Sequence, residues 1–273
     1  MPDPRLKAKL EQGLAAIQRA GFPEAIEIFT ELTAEEPESG EAWRNLGHCY
    51  LETRQLDLAL EALTRAAKYD PRDALAHYLL GHAYGSTGQL EPAAACYRHA
   101  LEIDPAHAKA EEFLMKTESL LESREHYRNA LKHLYAPDPG PADLNLALRD
   151  LIESAAIFAD SPAHQNLREC AQRLFELRSP MTIPVRVTPD LELWARACER
   201  GYLCIEAKNW LGARAAYEEA LGYRYQDAFV HHALGFCLAE TGDTSGAVSA
   251  WLRLLELDAN YDFCRFGRLH RRE

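Results

Sequence analysis

The sequence predicts an all-α fold: a solenoid of helix-turn-helix repeats, three N-terminal and two C-terminal, flanking a non-repeat helical segment. Three observations predict it. Small and large apolar residues recur with a 34-residue period, the apolar positions inside each period follow helical spacing, and prolines close most of the units.

The period is read from coincident columns. Gly13, Gly47 and Gly81 share one column, Ala25, Ala59 and Ala93 a second, and Phe29, Leu63 and Tyr97 a third, while Pro37, Pro71 and Pro105 end the units. The interval returns in Gly201 and Gly235, Ala213 and Ala247, and Tyr217 and Trp251. Each unit has room for two helices of about 15 residues, close to the usual helix length. Gly47 and Ala59 are expected to face each other across a hairpin, where small residues let backbones approach. Trp43, Leu46 and Tyr50 would fill the seam from one helix, and Leu63 and Ala66 from the other. Proline after Asp70 and Asp104 ends a helix because it cannot continue one. Gly88 and Gly242 fall in the turns between helices, where a left-handed residue is expected.

In order along the chain, residues 6–107 hold three repeats (6–39, 40–73 and 74–107). From Ala108 to Tyr135 there is no Pro or Gly, and Phe113, Leu120, Tyr127 and Leu134 recur every seven residues. That predicts one long helix, bent near Ser123, whose first half covers the third repeat. After a proline-rich break at 136–143, two amphipathic helices follow at about 143–159 and 163–178. They lack the small-residue columns and read as a non-repeat hairpin. "SPMTIPVRVTPD" (179–190) is expected to be extended, so 108–190 comprises a capping helix, a hairpin and a linker. Two more repeats occupy 194–261. Two are too few to be stable alone, so they should dock on the middle helices. Residues 262–273 are left as a short basic cap or tail of at most two or three helical turns, with Arg265, Arg268, Arg271 and Arg272.

"EAWRNLGHCYLETRQLDLALEALTRAAKYDP" (41–71) resembles the tetratricopeptide repeat family, matching its W-x2-L-G-x2-Y, alanine and proline positions. "HYLLGHAYGSTGQLEPAAACYRHALEIDP" (77–105) is similar, with His77 in place of the first aromatic residue. The resemblance implies that the first helix of each repeat lines a concave groove. Carried over residue by residue, the groove would take Leu10, Leu14 and Ile17 from repeat one. Repeat two would give Arg44, Asn45, His48 and Leu51, and repeat three Leu75, Tyr78 and His82. Tyr202, Phe229, His232 and Phe236 would come from the C-terminal pair. Family members that grip acidic C-terminal tails use lysine and asparagine in the first repeat, an asparagine in the second and basic residues in the third, and of these only Asn45 is present here. Here Leu10 and Leu14 occupy the first pair, and Leu75 and Leu79 stand where charge would be. The groove therefore reads as suited to an apolar or amphipathic partner segment, unless the chain's own 179–190 fills it.

Chemistry-bearing motifs were sought against that background. The sequence has no H-E-x-x-H, G-x-S-x-G, P-loop or G-x-G-x-x-G pattern. His77 and His82 are off-face from each other, His231 and His232 point apart, and no ligand set completes a site for His126 and His133. No catalytic residues, metal site or cofactor are expected. A formal net charge of −12 disfavours nucleic acid and anionic membrane as partners. The N-terminus has no apolar signal segment, and no uncharged run approaches the ~18 residues of a membrane span. Seven scattered cysteines without a C-x-x-C pair read as reduced, buried thiols in a cytoplasmic protein. The functional expectation is a non-enzymatic protein-binding scaffold or assembly chaperone. A peptide-sensing regulatory protein is the alternative, and an enzyme with its site in 108–190 a weaker one.

Overall fold

The structure is a computed structural model that describes residues 4–158, 161–177, 181–183, 189–264 and 269–271. The chain divides into two compact units, Met1–Leu121 and Glu122–Glu273.

The first unit holds three helical hairpins. They are α1 (Pro4–Gln18) with α2 (Phe22–Glu35), α3 (Gly40–Glu52) with α4 (Leu56–Tyr69), and α5 (Ala74–Ser86) with α6 (Leu90–Ile103). The unit ends within α7 (Ala108–Leu134), whose Phe113 and Leu114 pack on the cluster of Tyr78, Tyr97 and Ala100. Phe29, Leu63 and Tyr97 are fully or almost fully buried, which explains their column.

The glycine column lies against the large residues of the facing helices. An added Cβ on Gly47 would lie 2.5 Å from Leu63, and one on Gly81 2.7 Å from Tyr97. The alanine column sits one turn farther on, where Ala93 approaches Gly85. Each such glycine thus makes room for the large residue of its own hairpin. The same holds in the second unit for Gly201 with Tyr217 and Gly235 with Trp251.

His77 is explained by a hydrogen bond. Trp43 Nε1 donates to the Pro37 carbonyl at 2.8 Å, and His77 Nε2 makes the equivalent bond to Pro71 at 3.2 Å. His231 repeats it with Tyr225, also at 3.2 Å. The column needs a flat N–H donor, and histidine supplies one.

The turns carry a left-handed residue at one repeated position. Gly88 (φ 76°) and Gly242 (φ 84°) meet the expectation, but Ala20, Arg54 and Lys208 adopt φ of 58°, 59° and 55° without being glycine. A side chain in that conformation costs roughly 1 kcal/mol. Arg54→Gly is therefore expected to raise stability by up to about 0.5 kcal/mol, net of the entropy glycine adds to the unfolded chain. Thermal unfolding of the variant checks this; a lowered midpoint would contradict it.

The second unit contains the rest of α7, then α8 (Pro141–Ile157) and α9 (Ala163–Glu176). Two further hairpins follow: α10 (Pro189–Glu206) with α11 (Trp210–Tyr223), and α12 (Ala228–Glu240) with α13 (Thr244–Leu257). They share one core with α8 and α9, built around Leu148, Leu167, Trp194, Tyr217, Phe229 and Trp251. Residues 108–134 form one α-helix, and Ser123 ties it to α8. Ser123 and Ser154 each donate a hydroxyl to the other's carbonyl, at 2.9 and 2.8 Å.

Two expectations are corrected here. Besides its helices the unit has a pair of short parallel strands, β1 (Met181–Ile183) and β2 (Leu269–Arg271), with Met181 opposite Leu269. The extended reading of 179–190 ends early, because Pro189 opens α10. Proline suits that first helical position, where its missing N–H would be unbonded anyway. Beyond α13 the described residues up to Cys264 form turns in which Tyr261, Phe263 and Cys264 are buried, and β2 lies farther on. The remaining parts of the predicted linker and tail, 178–180, 184–188, 265–268 and 272–273, lie outside the described residues.

Candidate functional site

The first unit has a concavity of about 270 Å³ between α3, α5 and the start of α7. From α3 come Asn45, His48, Leu51 and Glu52, and from α5 come Leu75, Tyr78, Leu79 and His82. His107 and Lys109 close it. It forms where first helices of successive repeats lie side by side, because position repeats along with packing. Six predicted groove residues, Asn45, His48, Leu51, Leu75, Tyr78 and His82, meet in it.

The others do not. Leu10, Leu14 and Ile17 are half-buried and pack on the cluster of Phe29, Leu32, Leu46 and Ala62, which joins the first two hairpins. Arg44 is held by Asp73 at 2.5 Å and by Glu41 at 3.4 Å, so it bridges two repeats instead of standing ready as a polar handle.

Within the concavity the exposed apolar wall is Leu75, 43% accessible. Tyr78 is 8% accessible, its ring 5.0 Å from His107 and 5.9 Å from Phe113. It is a supporting wall more than a projecting anchor, and burial raises its pKa. Burial likewise lowers the pKa of His48, working against the pull of Glu52, whose carboxylate is 3.6 Å away. Asn45 is 7% accessible, and its Nδ2 has no hydrogen-bond partner.

His107 and Lys109 escaped the sequence reading, although a signal for the first existed. Ser39 and Asp73 cap α3 and α5 through Ala42 N and Ala76 N. One period later His107 Nδ1 accepts from Ala110 N at 3.1 Å and caps α7 in the same way. The column was legible as 39, 73 and 107, but histidine is an unusual cap.

In the second unit three of the four corresponding residues lie in the core. Phe229, His232 and Phe236 are 5%, 4% and 3% accessible, and Tyr202 is half-buried. Phe175 of α9 stacks on Phe236 at 4.9 Å. The His232 ring sits 5.4 Å from Tyr261 and 5.2 Å from Phe263. Two residues of α8 hold that C-terminal turn. Asn145 accepts from Phe263 N at 2.7 Å and donates to Asp262 at 3.0 Å. Arg149 donates to the carbonyls of Ala259 and Tyr261, the latter at 2.7 Å. The chain thus covers this face itself with α9 and residues 259–264, and Phe229, His232 and Phe236 are corrected to core positions. Phe236 reaches an opening of about 490 Å³ beside Phe175 and Trp210.

His126 and His133 find carboxylates, Asp150 at 3.0 Å and Asp143 at 3.6 Å. Among the described residues no three His, Cys, Asp or Glu side chains are grouped to hold a metal. Cys49, Cys170, Cys198, Cys237 and Cys264 are buried, and burial raises the Cys170 and Cys237 thiols to about 12. No helix of the described residues is long and apolar enough to cross a membrane.

Residues 16–83 and 74–107 match family profiles described as tetratricopeptide repeat. Together the two matches span residues 16–107. No curated protein matches the chain. Among solved structures, the first TPR of Spaghetti (RPAP3) bound to an HSP90 peptide is 22% identical, with a TM-score of 0.42, over 42% of this chain and 92% of that one. The Sgt2 TPR domain from Aspergillus fumigatus is also 22% identical, with a TM-score of 0.44, over 45% and 83%. A MamA protein aligns over 93% and 92% of the two chains at 14% identity, with a TM-score of 0.36.

Proposed function

We propose that this protein is a non-enzymatic scaffold or assembly chaperone that holds a segment of another protein in the concave face of its first unit. The observation that carries this reading is the open concavity lined by first-helix residues of two repeats, with Leu75 exposed at its wall. The matching face of the second unit is covered by the chain itself, so binding is assigned to α3, α5 and the start of α7. Leu51, Leu75 and Leu79 offer apolar contact, while Asn45, His48, His82 and Lys109 are polar. An amphipathic segment fits that mixture better than a wholly apolar one.

The test is Leu75→Glu. Leu75 lies in the first turn of α5, where an acidic side chain favours the helix. The variant is expected to keep its helical content and to lose partner capture from native lysate by at least about 30-fold, as truncating an interface anchor at ~2 kcal/mol or more implies. Unchanged capture by the folded variant would refute the assignment.

A further inference from the structure

The chain has four tryptophans, and the fold accounts for three of them. Arg65 lies over the Trp43 ring at 4.6 Å and Arg224 over the Trp194 ring at 5.2 Å. Trp251 is fully buried and donates Nε1 to the His232 carbonyl at 3.3 Å. The fourth, Trp210, opens α11 and is half-buried, and no cation among the described residues stands over it. It lines the cavity of about 490 Å³ in the second unit.

That cavity has an aromatic floor and a charged rim. Phe175 stacks on Phe236 at 4.9 Å, and Trp210 meets Phe236 edge to face at 5.9 Å, so the three rings form a corner. Glu176, Glu206 and Lys208 line it from exposed positions. A further carboxylate, Glu240, is only 4% accessible and is already matched inside the site. Arg168 donates to it at 3.0 Å and Gln172 at 2.6 Å. With that pair set aside, two carboxylates of the rim face one ammonium group. The face of an aromatic ring attracts a cation, tryptophan most strongly. A guanidinium suits such a corner: it is flat, stacks on aromatic faces and pairs with a carboxylate through two parallel N–H donors, whereas a lysine ammonium has neither the plane nor the fork.

The geometry points to a second binding site in this protein, one that takes an arginine side chain of a basic partner segment, with its guanidinium against Trp210 and paired with Glu176 or Glu206. A basic segment is also what a chain of net charge −12 attracts. The site lies wholly within the second unit and does not rest on the groove assigned to the first.

The test uses the full chain labelled with nitrogen-15 and the peptides acetyl-Ala-Leu-X-Leu-Ala-amide, where X is arginine, lysine, citrulline or phenylalanine. The arginine peptide is expected to shift the Trp210 indole N–H signal and to bind at least about 10-fold more tightly than the citrulline peptide, which keeps the shape and loses the charge. The lysine peptide should bind more weakly than the arginine peptide. Trp210→Leu and the double variant Glu176→Gln/Glu206→Gln should each reduce the preference for arginine over citrulline to less than about 3-fold. Lys208→Gln should strengthen arginine binding by removing a like charge. The three rim side chains are exposed, so those variants report on the site even where Trp210→Leu fails to fold. Leu75→Glu should leave arginine binding unchanged; loss of binding in that variant would move the arginine to the first-unit groove and overturn this site. Equal binding of the arginine and citrulline peptides, tighter binding of the phenylalanine peptide, or a Trp210 signal that no peptide moves also overturns it. If N-acetylarginine amide alone binds as tightly as the arginine peptide, the site takes a small molecule and the partner segment is refuted.

Discussion

Phe263→Ala is expected to destabilise the second unit by about 3–5 kcal/mol, the usual cost of truncating a buried aromatic residue. Phe263 is 0% accessible although it lies outside every helix and strand. Its backbone N–H is bound by Asn145, and its ring packs 5.2 Å from His232 and 5.6 Å from Tyr261. The turn therefore fastens α8 to α12, which is how two repeats reach a stable core without a third. Removing the ring leaves a cavity beside His232 and loosens both contacts. Denaturant unfolding followed by regional hydrogen exchange checks this. Protection should fall across 122–264 and stay unchanged across 4–121. A loss below about 1 kcal/mol would mean that the turn is an ornament on an already complete core.

Acidification should weaken the same unit through His232. Burial lowers its pKa from 6.5 to about 3, partly opposed by Asp262, so the native state holds it neutral. The unfolded chain takes up a proton below about pH 6.5 that the folded chain refuses until near pH 3. Its contribution is therefore present above pH 6.5 and lost as pH falls through that window, by roughly 1.4 kcal/mol per pH unit once titration is under way. The lowered pKa of His231 acts in the same direction in this unit, as those of His48 and His77 do in the first. Asp227, whose pKa burial raises, acts oppositely at the acid end. His232→Phe keeps an aromatic ring beside Tyr261 and Phe263 and removes the titration. Its stability should change less steeply between pH 6.5 and 4 than that of the parent chain, in unfolding curves taken at each pH. Equal slopes would exclude His232 as the group responsible.

The columns that revealed the repeats were legible because each residue type has one local cause. Gly81 is small because Tyr97 lies against it, and Gly88 is glycine because the turn there is left-handed. The same logic failed where partners are remote in sequence. Nothing near Phe229 or Phe236 announces that α9 and the turn at 259–264 will cover them, so groove positions carried over from the first array became core positions. Likewise β1 and β2 are three residues each and lie far apart along the chain, leaving no local pattern to find. In the first unit six groove residues came together because their neighbours are one period away. His107 was missed because its column is polar and changes identity from Ser39 to Asp73 to histidine.

The most direct test of the groove assignment is site-specific photo-crosslinking. Benzoylphenylalanine is placed at Leu75, on the wall of the concavity, and in a second variant at Leu58 of α4. Leu58 is also 43% accessible but does not line the concavity. The account predicts that the partner captured by the protein cross-links through position 75 and not through position 58. Cross-linking through 58 with none through 75 would place the binding surface elsewhere on the first unit and contradict the account.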